Sequence, residues 1–422
     1  MKLSEKDRKM LNGEFGEVKK LAMEKTIEYA KVLGAEELID VDKSTSCYDD
    51  MSDFLKCGND LDSRYSLAYL GKEMKLDSLV ADHCFCQDDA CGIDGESWEA
   101  LNHTKEFYDY VKGYLDRAQE LGVIRVSCCT PYLTGWIPLM GEVFVTTESS
   151  NILMCNSIFG ARGNCGGQAT TFLATLTGRT PKWGYHLDEN RYGTHIVHIQ
   201  CKTESRQDWD LLGYVLGTQL SSGDVPIIAD GFKKPDLTLL KKFFTPLATT
   251  SNAELCFFVG LSPEARTLED ALKGHAPKGE IVITQEMIDN AKNKLCHQEP
   301  GEVDYIEIGC PHCGIEELQE FSSYMKGKKV KDGVKFIINT AFPMLKTAEV
   351  NGYAQILRDA GIYISTCGCL NVHSCAANGA KAIALSSAKL THYQKTEQSV
   401  PVYYGSDKEL MDAAVTGYWG GK

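Results

Sequence analysis

The sequence predicts an α/β protein with parallel sheets, and three observations carry that expectation. Short apolar runs that read as strands alternate with helical patterns along most of the 422 residues. Three of those runs, Val123-Ile124-Arg125-Val126, Tyr305-Ile306-Glu307-Ile308 and Ile362-Tyr363-Ile364, each lead into a loop-forming segment. Each of these segments carries a cysteine: Cys129 before Thr130-Pro131, Cys310 in Gly309-Cys310-Pro311-His312, and Cys367 in Thr366-Cys367-Gly368. Thiols at the ends of strands from distant parts of a chain can converge on one point. Three thiolates so placed suit a cubane iron–sulfur cluster with one iron left open. An open iron is a Lewis acid able to draw a hydroxyl off a small acid.

The elements follow in order. Val18, Leu21, Ala22, Thr26, Tyr29 and Leu33 recur at helical intervals, and Gly34 ends that helix. A polar stretch with cysteines runs from Asp42 to Asp62. Lys105 to Gly122 reads as a helix with Phe107, Tyr110, Val111, Tyr114, Leu115 and Ala118 on one stripe. Residues 141–200 are rich in Gly, Asn, Ser and Thr, which is loop chemistry between apolar runs. Val225–Ala229 and Leu255–Val259 read as buried strands, and Thr284–Leu295 as a helix. Lys335–Asn339 is a further strand, and Leu345–Asp359 a helix before the strand that leads to Cys367. No repeat or long linker divides the chain. The expected regions are 1–200, 201–330 and 331–422, each with one of the three cysteines.

Composition narrows the function. The net charge is −14 and no basic tract occurs, which argues against nucleic acid. The opening Met1–Asp7 has no apolar signal region, and no run of eighteen apolar residues occurs, so a cytoplasmic protein without a membrane span is expected. Seventeen cysteines, an odd number, read as reduced thiols and not as a disulfide framework. Cys155, Cys201 and Cys256 lie in apolar surroundings and read as small hydrophobes.

Four segments carry candidate chemistry. Glu148, Ser149 and Asn156 can orient hydroxyls, Ser157 lies beside them, and Arg162 can clamp a carboxylate bidentately; a capped polar loop is the plain alternative. His186, Asp188 and Arg191 read equally as a site or as a structural ion-pair network. Gly13 permits close backbone approach and Glu14 can face a site, against the commoner reading of an acidic helix start. Ser387 and Lys389 follow Cys367, and Lys389 can pair with an anionic substrate or be a plain exposed lysine. Cys310, Cys313, Cys367 and Cys369 are also compatible with zinc, and Cys310-x-x-Cys313 with thiol redox chemistry. Cys84, Cys86 and Cys91 form a further cluster without an assigned role.

These motifs together resemble the aconitase X family, a branch of the aconitase superfamily, and specifically its catalytic large subunit. The matching pieces are Met10-Leu11-Asn12-Gly13-Glu14-Phe15-Gly16, Cys129-Thr130-Pro131-Tyr132, Pro138 with Gly141-Glu142, Glu148-Ser149, Asn156-Ser157 with Gly160-Ala161-Arg162, and Gly178-Arg179-Thr180-Pro181. They continue with Pro263-Glu264-Ala265, Gly309-Cys310-Pro311-His312, Thr366-Cys367, and Ser387-Ala388-Lys389 with His392-Tyr393. The resemblance implies an aconitase-like fold of three α/β/α domains around an iron–sulfur cluster held by Cys129, Cys310 and Cys367. It implies a dehydratase: known members dehydrate cis-3-hydroxy-L-proline or mevalonate 5-phosphate, and a hydroxyproline-like hydroxy acid is the favoured substrate here. A 4Fe-4S cluster with one open iron is the expected cofactor, with 3Fe-4S, 2Fe-2S or mononuclear iron as alternatives. The chain departs from the family pattern at Gly163, at Cys313-Gly314, and in the added thiols Cys128 and Cys369. The superfamily's swivel loop, an Arg-Gly-Ser-Ser-like segment, is not found in the sequence, which implies either a separate small swivel subunit, the preferred reading, or a branch that has replaced the base. The competing classes are a zinc- or thiol-based scaffold and a regulatory protein that binds RNA.

Overall fold

The computed structural model describes residues 1–46, 60–81, 85–88, 94–366, 368–372 and 374–420. Cys84, Cys91, Cys367 and most of the 42–62 stretch therefore lie outside the described residues. Among the described residues, three parallel sheets organise the chain. Strands β1 (Lys43–Ser46), β2 (Phe85–Asp88) and β3 (Phe144–Val145) pair in the order β2-β1-β3. Strands β4 (His195–Gln200), β5 (Pro226–Asp230), β6 (Phe257–Phe258) and β7 (Gly279–Thr284) form a second sheet, β6-β5-β4-β7. Strands β8 (Tyr305–Cys313), β9 (Lys335–Thr340), β10 (Tyr363–Ser365), β11 (Ile383–Leu385) and β12 (Val402–Tyr404) form the third, β10-β9-β8-β11-β12.

Every neighbouring pair in these sheets is parallel. Helical crossovers therefore cover the faces, which explains why the strands are apolar runs and not alternating patterns. In the third sheet Ile306, Ile308, Phe336 and Ile338 pack against Leu318, Phe321 and Leu357. In the second, Val197, Ile199 and Ile228 pack on helices α1 (Arg206–Gly217) and α2 (Leu237–Thr250) through Trp209, Phe243 and Phe244. That same core takes in Ala388 and Tyr404 from the third sheet's side. The stripe predicted on Lys105–Glu120 buries Val111, Tyr114, Leu115 and Ala118.

Several expectations change. Val123–Val126 forms no strand; Ile124 makes one bridge, to Gln87. The reason is local: the buried Asp88 carboxylate takes the N–H of Val126 at 2.5 Å and of Ser127 at 2.6 Å, so these amides are lost to a ladder. The 141–200 region is not all loop, since Ser149–Met154 and Gly167–Thr177 are helices with apolar buried faces. The helix expected over 345–359 is two, Phe342–Val350 and Tyr353–Asp359, broken at Gly352 with φ 77°. Gly13 and Glu14 sit in the turn between helices Glu5–Leu11 and Glu17–Val32, not at a helix start. The boundary expected near residue 330 cuts through one sheet, because β8 pairs with β9 and β11.

Candidate active site

The third sheet changes direction beside β8. The chain runs from β8 through β9 to β10 on one side, then crosses to β11 and β12 on the other. In such sheets the crevice outside the carboxyl ends, at the switch point, is where ligands bind. Cys310 stands near the carboxyl end of β8, and Ser387 and Lys389 start the helix α3 (Ala388–Glu397) that follows β11. Gly309 makes the turn possible: its φ is 120°, and a Cβ there would lie 2.4 Å from the Asn339 carbonyl oxygen. Gly368, after β10, is equally pressed, with Asn339 Oδ1 2.3 Å from where a Cβ would be.

Cys129 reaches this crevice from the first sheet's side. Asp88 holds its loop through Val126 N–H, Ser127 N–H and the Ser127 hydroxyl, the last at 2.8 Å. Ser127 adopts φ 49° in that turn. The His312 N–H donates to Cys129 Sγ at 3.4 Å, and His312 Nε2 lies 3.0 Å from the Gly368 carbonyl. One buried histidine thus links the segments that carry all three predicted thiol positions.

Electrostatics define the rest. Burial pushes the Cys129 thiol well above its usual value, and Glu148 and Cys310 raise it further. Burial also raises Cys310, against Lys389, a hydrogen bond from Ser387, and Lys242, which favour its thiolate. Burial raises Glu148, and Lys389 opposes that shift. For Lys389 burial disfavours the charge, but Glu148, Cys310, Cys369 and Cys129 overcome it and hold the ammonium above its ordinary range. Glu148 and Lys389 therefore face the same thiols from different domains. Ser149 opens the helix Ser149–Met154 directly after Glu148. Cys369 belongs to this group as well; burial, then Cys310 and Glu307, push it up to about 12.

The donor chemistry fits an iron–sulfur cluster. Two soft thiols from two domains share one crevice, and buried thiols ionise readily only beside a cation. Among the described residues no three His, Cys, Asp or Glu side chains form a metal site on their own. The described members of the predicted trio are Cys129 and Cys310, with Cys367 outside the described residues. The zinc alternative loses a ligand, because Cys313 is buried in the third-sheet core with Leu318 and Phe336. Cys128 likewise turns inward, against Val126 and Ala341, with Thr130 Oγ1 3.1 Å from its sulfur. Cys86 is core.

Other candidates form a structural network instead. Arg191 is fully buried and donates to both Glu264 oxygens, to Asn156 Oδ1 and to the Asn156 carbonyl. Arg162 donates to Glu264 at 3.0 Å and to Asp188 at 2.8 Å. Asn156 also clasps Gly163 through both backbone groups, and Ser157 accepts the Cys256 N–H at 2.9 Å. These ties join the first two domains and leave no open guanidinium fork for a substrate. His186 is apart from the thiols. Its Nδ1 donates to the Pro181 carbonyl at 3.0 Å and it lines a cavity of about 220 Å³ with Cys165, Thr170 and Trp183. Glu14 is exposed.

The sequence reading missed Asp88, Asp210, Lys241 and Lys242. Two adjacent lysines inside the apolar run Leu239-Leu240-Lys241-Lys242-Phe243-Phe244 were the available signal, since buried lysines are rare without partners.

The comparisons agree with this architecture. Family models match the aconitase X first domain over residues 1–189, the second over 193–293 and the third over 303–416. The chain belongs to the aconitase X family, and is an enzyme of the hydro-lyase class. It is similar to the phosphomevalonate dehydratase large subunit of Methanocaldococcus jannaschii, 28% identical over 97% of this chain and 99% of that one. It is also similar to the cis-3-hydroxy-L-proline dehydratase of Pseudomonas aeruginosa, 26% identical over 97% of this chain and 69% of that one. The crystal structure of Thermococcus kodakaraensis aconitase X in its holo form superposes with a TM-score of 0.82, at 24% identity, covering 98% of this chain and all of that one. Among the described residues no helix is long and apolar enough to cross a membrane.

Proposed function

We propose that the chain is an iron–sulfur hydro-lyase that removes water from a small hydroxy acid, with cis-3-hydroxy-L-proline-like acids favoured. The observation that supports this reading is the meeting of Glu148 and Lys389 at Cys129 and Cys310. A cluster held by Cys129, Cys310 and Cys367 would supply Lewis-acid binding of the departing hydroxyl. Lys389 pairs with the substrate carboxylate and restrains it. Glu148, its carboxyl raised by burial, takes the proton from the carbon next to the one that bears the hydroxyl. The electron pair of that C–H bond becomes the C=C bond as the C–O bond breaks, and the departing hydroxide takes up the proton held by Glu148 and leaves as water. Ser149 flanks Glu148 and orients the substrate hydroxyl, while the buried Ser387 holds Cys310 and caps α3.

Lys389 is the cation at the thiols among the described residues that is not taken up by backbone carbonyls, and one ammonium matches one carboxylate. Mevalonate 5-phosphate is the second reading, because relatives aligned over nearly the whole chain are phosphomevalonate dehydratase large subunits. Those names also support a separate small subunit. Ile137, Leu139 and Met140, exposed on the segment that follows Cys129, offer it an apolar surface. The test is a dehydration assay on both substrates with anaerobically purified chain, alone and with a small subunit. Water loss from hydroxyproline and none from mevalonate 5-phosphate is expected; the reverse selects the second reading, and loss from neither hydroxy acid under either condition removes the proposal.

A further inference from the structure

Helix α2 carries Lys241 and Lys242 with 1% and 2% of their surfaces exposed, in a run buried from Leu240 to Leu247. The ammonium groups of both lysines donate across the domain boundary. Lys241 Nζ donates to the His312 carbonyl at 2.6 Å and pairs with the buried Glu317. Lys242 Nζ donates to the Cys310 carbonyl and to the Ser386 carbonyl, each at 3.4 Å. From the neighbouring helix α1, the buried Asp210 accepts the Ala388 N–H at 2.7 Å and the Tyr404 hydroxyl at 2.7 Å. Asp210 and Asp407, which itself pairs with Arg206, keep Lys242 charged against its burial.

These contacts land on both sides of the switch point. Cys310 lies among the last residues of β8, and Ser386 and Ser387 join β11 to α3, so one ammonium bridges the two segments while one carboxylate holds the helix start. We propose that Lys242 and Asp210 are positioning residues, which fix the Cys310 loop relative to the Ser387–Lys389 helix start and thereby set where Lys389 stands against the thiols. Fixed, water-excluded donors of this kind hold a site without reorganisation during the reaction. The second domain thus sets the registry of Cys310 and Lys389. The proposal rests on the reading of Cys310 and Lys389 as site residues.

The test uses the full chain, stripped of metal, carrying Lys242→Gln with Asp210→Asn so that both proposed ties are weakened together. Folding is checked by circular dichroism, and alkylation of each cysteine by iodoacetamide is followed by mass spectrometry, with the exposed Cys165 as internal reference. The expected result is a Cys310 alkylation rate per thiolate, read from a pH series because loss of Lys242 by itself disfavours that thiolate, higher by about tenfold or more as the loop loosens with loss of its charge-assisted hydrogen bonds, with Cys165 unchanged. Iron reconstituted per chain should fall in parallel. Should the double variant not fold, Asp210→Asn alone is read in the same way. A folded variant whose Cys310 reacts at the wild-type rate and binds the wild-type amount of iron overturns the proposal. The alkylation needs no substrate, so a failure of the dehydratase reading shows separately in the turnover assay.

Discussion

The backbone N–H of His312 donates to the sulfur of Cys129 at 3.4 Å, so a loop of the third domain rests directly on the thiol of the first. The proposed site therefore lies at a domain junction, where each domain would contribute a different chemical part. The first brings Cys129 and Glu148, the third brings Cys310 and Lys389, and the second braces them.

Glu148→Gln keeps the size of the side chain and removes its ability to take a proton. Turnover should fall by about a hundredfold or more, the usual share of a general base, with KM little changed. Steady-state kinetics on the accepted hydroxy acid check this; an equal rise in KM with kcat intact would make Glu148 a binding group instead.

Arg191→Ala removes a fully buried cation from Glu264 and Asn156. Leaving Glu264 buried without its main partner should cost about 3–5 kcal/mol of stability, read by urea unfolding. The folded fraction should keep its KM. A large KM effect with no loss of stability would restore Arg191 as a substrate ligand.

Gly309→Ala places a methyl group against the Asn339 backbone at a φ of 120°. The loop that carries Cys310 must move. A loss of about 2 kcal/mol or more in stability is expected from strain and overpacking, together with lower iron retention. Thermal melts and iron analysis of the same preparation test both parts.

The buried His186 gives a pH dependence of stability. Burial pushes its pKa down from 6.5 to about 4. Once unfolded, the ring takes a proton below about pH 6.5, whereas the folded ring stays neutral to about pH 4. The unfolded state then binds more protons in that window, so stability is full above it and falls as pH drops through it, by about 3 kcal/mol at the lower end. His186→Gln should flatten the urea midpoint between pH 7 and 4.5. An unchanged slope would mean the ring is not protected from protonation.

Much of this was legible in the sequence, and the exceptions have physical causes. The apolar runs at 305–308, 335–339 and 362–364 gave their strands away because parallel sheets bury both faces. The loop context expected after a strand holds only loosely, since no strand directly precedes Cys129 and Cys310 lies within Tyr305–Cys313; Glu148 and Lys389 stood in motifs rich enough to single out. What one dimension hides is partnership. Arg162 looks like a substrate clamp, and Arg191 reads equally as a site or as an ion-pair residue, until Glu264, far along the chain, is seen to pair with both. Lys241 and Lys242 look like a surface pair until Glu317 and the carbonyls of another domain surround them. Cys128 and Cys129 are adjacent in sequence, but the turn held by Asp88 sends one sulfur into the core and the other into the crevice.

The central claim is that Cys129 and Cys310, with Cys367, hold an iron–sulfur cluster. Iron, zinc and acid-labile sulfide should be measured in chain purified without oxygen, beside Cys129→Ser and Cys310→Ser. The account predicts about three to four irons per chain with matching sulfide in the wild type, and loss of both in either variant. Zinc without sulfide, or iron and sulfide unchanged in the serine variants, would contradict it.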